Sequence, residues 1–143
     1  MVIDKMTEQQ RNELRELYFI SRKKAFFWED ESAFDLADFD HDTKDELVLV
    51  ATDNKQIVGF ISLYVEDNFI HTLFVSPEKQ GLGAGTALLQ EAKKVLEMPM
   101  KLKCLSKNTA ALKFYESQGW RKIDEVKYEN ANDNYWNLLL EGN

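Results

Sequence analysis

The chain is poor in several things, and each shortage narrows what it can be. A single cysteine, Cys104, occurs in 143 residues. It cannot form an internal disulfide and has no neighbours at metal-ligand spacing, so a reducing compartment is expected and a structural zinc site is not. No apolar run approaches the roughly 18 residues of a membrane span. The N-terminal MVIDKMTEQQRNEL has no apolar signal core. A cytoplasmic protein with no membrane partner is the expectation. There are two prolines and six glycines, and no repeat, linker or low-complexity tract, so a single domain over residues 1–143 is expected. Positive charge is also short, with 18 Lys and Arg against 25 Asp and Glu and a formal charge of −7. Nine of those acids fall between Glu29 and Glu46, opposed by Lys44 alone. Outside that segment the chain is close to neutral, with no positive patch dense enough for nucleic-acid phosphates.

What is present suffices for one sizeable core, at 44% apolar and 12% aromatic residues. Val2 to Lys5 reads as a short first strand, and Thr7 with Gln10 as a capping box opening a helix. Along that helix Leu14, Leu17, Tyr18, Ser21 and Ala25 share one face. Phe26-Phe27-Trp28 at its end is either core or lid packing, or the wall of an acceptor pocket. The acidic segment, with Phe34, Leu36, Ala37 and Phe39 on one side, is expected to be a solvated face or a surface that steers a cationic substrate. Leu47–Thr52 and Ile57–Val65 form a hairpin around Asp53 to Gln56, and Phe69–Val75 completes an antiparallel meander. A second helix, with Leu88, Leu89, Ala92, Val95 and Leu96 inward, precedes a strand over Lys101–Leu105 that a parallel crossover would place. Ser106–Gln118 reads as a further helix, capped by Asn108 and stopped by Gly119. Two strands close the chain around a turn at Asn130-Ala131-Asn132-Asp133-Asn134.

The most informative stretch is 68–97. Gly81, Gly83 and Gly85 crowd the point where the strand ending at Val75, after a break at Ser76-Pro77, gives way to a helix. Glycines without Cβ atoms, next to helix N–H groups that have no intrahelical partner, make an anion cradle suited to phosphate. A nucleoside-triphosphate loop would need a lysine where Thr86 and Ala87 follow the last glycine. A dinucleotide loop would need a third glycine where Thr86 or Leu88 stands. Neither pattern fits.

What the stretch resembles is the acetyl-CoA pyrophosphate loop of the GNAT superfamily of N-acetyltransferases, through Gln80-x-x-Gly83-x-Gly85 after Leu73-Phe74-Val75. A second signature of that superfamily is similar to Asn108 through Phe114-Tyr115 to Gly119-Trp120. Spacing puts Asn108, Ala111 and Tyr115 on one helical face. The resemblance covers about Leu47 to Leu140, and residues 1–46 would then hold the acceptor-side helices.

The resemblance implies an α/β (α+β) fold with a mixed, mostly antiparallel, twisted sheet of six to seven strands and about four helices. The sheet would be splayed between the strand before the glycine loop and the strand at Lys101. It implies direct transfer of an acetyl group from acetyl-CoA to an amine of a small molecule or peptide, with no metal. A non-catalytic acyl-CoA-binding or regulatory module of the same fold is the alternative. The protein would act as a monomer or homodimer. Backbone at Leu73, Phe74 and Val75 would pair with the pantetheine arm. Gln80, Gly81, Leu82, Gly83, Ala84, Gly85 and Thr86 would hold the pyrophosphate, Asn108 and Ala111 would face the cofactor, and Lys107 and Lys113 are candidates for the nucleotide phosphates. Tyr115 would be the general acid. For the base, His71 has a suitable intrinsic pKa and Glu66 could act through a water, while ordered water alone is a third option. Alternation sets His71 on the face of Leu73 and Val75, where a structural role is also open. Direct transfer leaves Cys104 no nucleophilic task.

Overall fold

The computed structural model describes residues 1–127 and 133–142. Its most local feature follows from Asn54 and Lys55, whose positive φ angles of 51° and 67° close the two-residue turn between β2 and β3. In chain order the elements are β1 (Val2–Lys5), α1 (Arg11–Ala25), α2 (Asp38–Asp42), β2 (Leu47–Asp53), β3 (Gln56–Tyr64) and β4 (Phe69–Val75). Then come α3 (Ala84–Val95), β5 (Met100–Leu105), α4 (Thr109–Ser117), β6 (Arg121–Lys127) and β7 (Asn134–Leu140). The strands form one seven-stranded sheet in the order β1-β2-β3-β4-β5-β7-β6. Every pairing is antiparallel except β4 with β5. This is the mixed, open α+β sheet that the resemblance implies. Of the closing turn, Asn130-Ala131-Asn132 lies outside the described residues. No helix among the described residues is long and apolar enough to cross a membrane.

Strand alternation divides the core between the two faces. Leu49, Ala51, Ile61 and Leu63 point to one side and meet Leu88, Leu89 and Ala92 of α3. Val48, Val50 and Phe60 point to the other, where Leu14 and Tyr18 of α1 and Phe39 of α2 cover them. Tyr18 is the hub of that second core, edge-on to Phe39, Phe60 and Phe74 at centroid distances of 6.1, 5.8 and 5.4 Å. Val95, expected inward, is 39% exposed because α3 ends there and the chain turns away. Likewise α4 starts at Thr109 rather than Ser106, since Asn108 accepts from the Ala111 N–H and caps it.

The acidic segment is neither simply solvated nor simply a steering field. Asp40 accepts from Arg11 and Arg15, both at 2.7 Å, and Asp38 pairs with Arg22 at 3.0 Å. The Tyr18 hydroxyl donates to Asp42 at 2.6 Å. Three of the nine carboxylates therefore dock α2 onto the polar flank of α1. The chain then reaches Glu46 through Thr43, which is buried with its hydroxyl donating to the Phe39 carbonyl.

Gly59 of β3 sets how closely β4 is held. A Cβ there would lie 2.7 Å from the Phe74 carbonyl oxygen and 3.2 Å from the Val75 Cα. Both atoms are backbone and cannot swing aside. Gly59→Ala is expected to destabilise the fold by about 1–3 kcal/mol, the usual cost of overpacking, and urea denaturation measures this. An unchanged midpoint would mean that β4 has slack.

Candidate active site

The site begins where the sheet divides. β4 and β5 share only two residue pairs, Phe69 with Lys101 and Ile70 with Leu102. Beyond them β3 still holds one edge of β4, through Ile61 with Leu73, Phe60 with Phe74 and Gly59 with Val75. Among the described residues no strand lies beside the other edge of Leu73 to Val75. A cleft of about 680 Å³ occupies the gap, with β4 and the glycine loop on one side and Asn108, Ala111 and Tyr115 of α4 on the other. Unpaired strand edge of this kind offers donors and acceptors to an extended ligand.

At the mouth of the cleft Gly81 and Gly83 have φ angles of 87° and 80°, and a Cβ on either would meet no atom within 4 Å. Their lack of a side chain serves backbone conformation and open space, not packing. Gly85 differs, since a Cβ there would lie 3.1 Å from Phe114 Cζ, so this glycine lets α3 sit against α4. The first helical bond runs from Ala87 N–H to the Gly83 carbonyl at 3.0 Å. The N–H groups of Gly83 to Thr86 are left without partners among the described residues, at the positive end of a twelve-residue helix. The Gln80 side chain braces the loop by donating to the Val75 carbonyl at 3.2 Å. Thr86 Oγ1 already accepts from Gln118 at 3.3 Å. Leu82 is 52% exposed and is not part of the cleft lining.

Tyr115 lines the inner end, 8% exposed, with its ring 6.0 Å from that of Trp120. Its hydroxyl bonds to no described residue, and burial pushes the phenol well above its ordinary range. It therefore carries its proton at neutral pH, with no acceptor for it among the described residues. Cys104 on β5 is pushed up to about 12, first by burial and then by Asp133. So little thiolate is available that Cys104 acts as a packing residue. Asn108 lines the cleft but spends its side-chain oxygen on the cap of α4, leaving its NH₂ for a ligand. Lys107 also lines the cleft, with its ammonium 5.8 Å from the Trp28 ring, while Lys113 is exposed elsewhere on α4.

His71 departs from the alternation drawn for it. The β3–β4 register shifts between Ser62 and Leu63, pairing Ser62 with Thr72 and Leu63 with Ile70. His71 has no opposite residue, and this bulge turns it off the face of Leu73 and Val75. It is the first β4 residue past the fork, and its Nδ1 lies 2.8 Å from Glu46 Oε2. Glu66 lies apart, in a separate pocket of about 500 Å³ with Tyr64, Asp67, Phe69 and Lys103, where its carboxylate is 3.4 Å from the Tyr64 hydroxyl. The Phe69 ring, 6.5 Å from that of His71, links the two places. Glu46 is the functional candidate that sequence inspection missed. Its only signal was its place at the end of the acidic run.

The aromatic cluster after α1 splits between packing and exposure. Phe26 packs against Trp28, Phe34 and Phe74 at 5.6, 6.4 and 6.3 Å. Phe27 is 78% exposed and forms part of the cleft wall with Ser21 and Lys24. Among the described residues no group of three or more His, Cys, Asp or Glu could hold a metal ion.

Comparison with known proteins accords with this geometry. Over 69 residues the chain is 32% identical to the peptidyl-lysine N-acetyltransferase YiaC of Escherichia coli K12, a match spanning 48% of this chain and 46% of that protein. The solution structure of apo YjaB from Escherichia coli superimposes with a TM-score of 0.80 at 21% identity, covering 100% of both chains. The PaiA N-acetyltransferase of Thermoplasma acidophilum, solved with coenzyme A, gives 0.79 at 19% identity, covering 99% of this chain and 100% of that one. The profile of the acetyltransferase (GNAT) domain matches residues 21–133. The chain belongs to the GNAT acetyltransferase family.

Proposed function

We propose that the protein transfers an acetyl group from acetyl-CoA directly to an amine of a small molecule or peptide. The observation that carries this reading is the fork itself, where a β4 edge runs from His71 to a loop of amides, edge and amides both without partners among the described residues. Gly81 and Gly83 leave room for a pyrophosphate within reach of the Gly83–Thr86 amides. The Leu73–Val75 edge has the reach and polarity to bond the amides of a pantetheine arm. Acetyl-CoA supplies a thioester whose carbonyl carbon accepts a nucleophile and whose sulfur leaves.

The chain's own residues supply the proton traffic. His71, at the fork and with its outer nitrogen free, takes the proton that the amine sheds as its nitrogen bonds to the acetyl carbon. Tyr115, buried and protonated, gives its proton to the departing sulfur and recovers one from solvent. Neither candidate base is in the lining of the cleft; His71 is preferred because it is the first β4 residue past the fork, whereas Glu66 lines a separate pocket beside the Tyr64 hydroxyl.

Thiol release from acetyl-CoA, followed with lysine-bearing peptides, polyamines, amino acids and aminoglycosides, tests the proposal. Similarity to a peptidyl-lysine N-acetyltransferase makes the peptides the first arm. Turnover with at least one class is the expected result. Acetyl-CoA binding without thiol release in any of the four would favour the non-catalytic module.

A further inference from the structure

We infer that Glu46 is a positioning residue that fixes the tautomer and direction of the His71 ring, forming a carboxylate–imidazole pair that the acceptor amine meets. The inference rests on the proposal that His71 is the base. The Glu46 side chain is 9% exposed, against 39% for that of His71. One oxygen, Oε2, lies 2.8 Å from His71 Nδ1, and the other, Oε1, is buried with no partner among the described residues. A carboxylate free to choose would turn that oxygen toward water, so its confinement requires a cause.

The backbone supplies one. Asp45, immediately before Glu46, sits in the left-handed region at φ 63°, and the Glu46 N–H donates to the Thr43 carbonyl at 3.0 Å. A tight turn at the end of α2 thus aims the side chain inward as the chain enters β2. From the other side the bulge of β4 carries His71 out to meet it. Two local irregularities, 25 residues apart in sequence, converge on one contact.

With Glu46 ionised, the chemistry of the pair has one arrangement. An ionised carboxylate only accepts hydrogen bonds, so Nδ1 must carry the proton and Nε2 must present its lone pair. Nδ1 is occupied, so Nε2 is the nitrogen available to a substrate. The positive charge that His71 acquires on taking a proton develops beside Glu46, in the same division of labour by which an aspartate orients a catalytic histidine elsewhere.

The test combines a spectroscopic and a kinetic measurement on the purified full chain. Ring ¹⁵N–¹H correlation spectra of the wild type, at a pH where the imidazole is neutral, should show His71 as the Nδ1–H tautomer. An Nε2–H ring would overturn the inference with no variant needed. E46Q should lower kcat by about 10²-fold, the low end of a general-base contribution, with the KM for acetyl-CoA unchanged. In an H71A background E46Q should cost nothing more, since Glu46 acts only through the ring. A further loss of similar size in that background would mean that Glu46 acts on something else. If H71A itself turns over normally, the base assignment fails. If H71A is impaired while E46Q is not, the base stands and the role of Glu46 falls. Should E46Q fold poorly, E46D keeps the charge, and recovery of both the Nδ1–H signature and turnover supports the pair, whereas recovery of neither overturns it.

Discussion

Tyr115→Phe is expected to lower kcat by about 10²-fold or more, the range that a positioned proton donor contributes, while the KM for acetyl-CoA stays unchanged. The structure makes the substitution clean. The hydroxyl bonds to no described residue, so removing it strands no buried partner. The ring that packs on Trp120 is retained, and thermal melting should coincide with wild type. Any deficit then belongs to the chemical step, where the leaving sulfur would lack its proton. The raised phenol pKa gives this a pH signature. An ordinary tyrosine loses its proton near 10, whereas Tyr115 keeps it there, so its contribution should persist through pH 10. Equal kcat for wild type and Tyr115→Phe would remove the residue from the mechanism.

Gly83→Val is expected to raise the KM for acetyl-CoA by about 10²-fold or more, which corresponds to losing one or two charge-assisted hydrogen bonds. Protein packing does not oppose the added side chain, because a Cβ at this position meets no atom within 4 Å. Opposition comes from the backbone, which must hold φ near 80° where a β-branched residue is poorly tolerated. The space that the side chain would enter lies at the mouth of the cleft. Initial rates over a range of acetyl-CoA concentrations, with calorimetric titration of coenzyme A, separate weakened binding from slowed chemistry. A normal KM would place the phosphates elsewhere.

Much of the cleft around the glycine loop was legible in the residues. The strand Phe69–Val75, the glycine break and the helix after it appear where their spacing puts them, because each is specified by residues close in sequence. Asn108, Ala111 and Tyr115 share a face because helical periodicity does not depend on what lies opposite. The surroundings of His71 were harder to read, for two physical reasons. Alternation assumes a constant register, and the bulge at His71 breaks it through a mismatch with β3 that neither strand shows alone. The acidic run looked uniform, although its members differ by partner. Asp38 and Asp40 meet arginines of α1, Asp42 meets a tyrosine, and Glu46 meets an imidazole on a distant strand. Such differences arise from tertiary contact, which composition does not record.

The two-pair junction between β4 and β5 has a mechanical side as well. It divides the sheet into a four-stranded blade, β1 to β4, and a three-stranded blade, β5-β7-β6, stitched along one edge by Phe69–Lys101 and Ile70–Leu102. Apart from that stitch, the blades are held together by the α3 and α4 side of the core, where Ile70 and Leu102 are both nearly inaccessible. A ligand lying in the fork would bridge the blades as a temporary strand. Occupancy would then stiffen the molecule across its own seam, and release of the spent cofactor would loosen it again, tying a breathing motion of the sheet to each turnover.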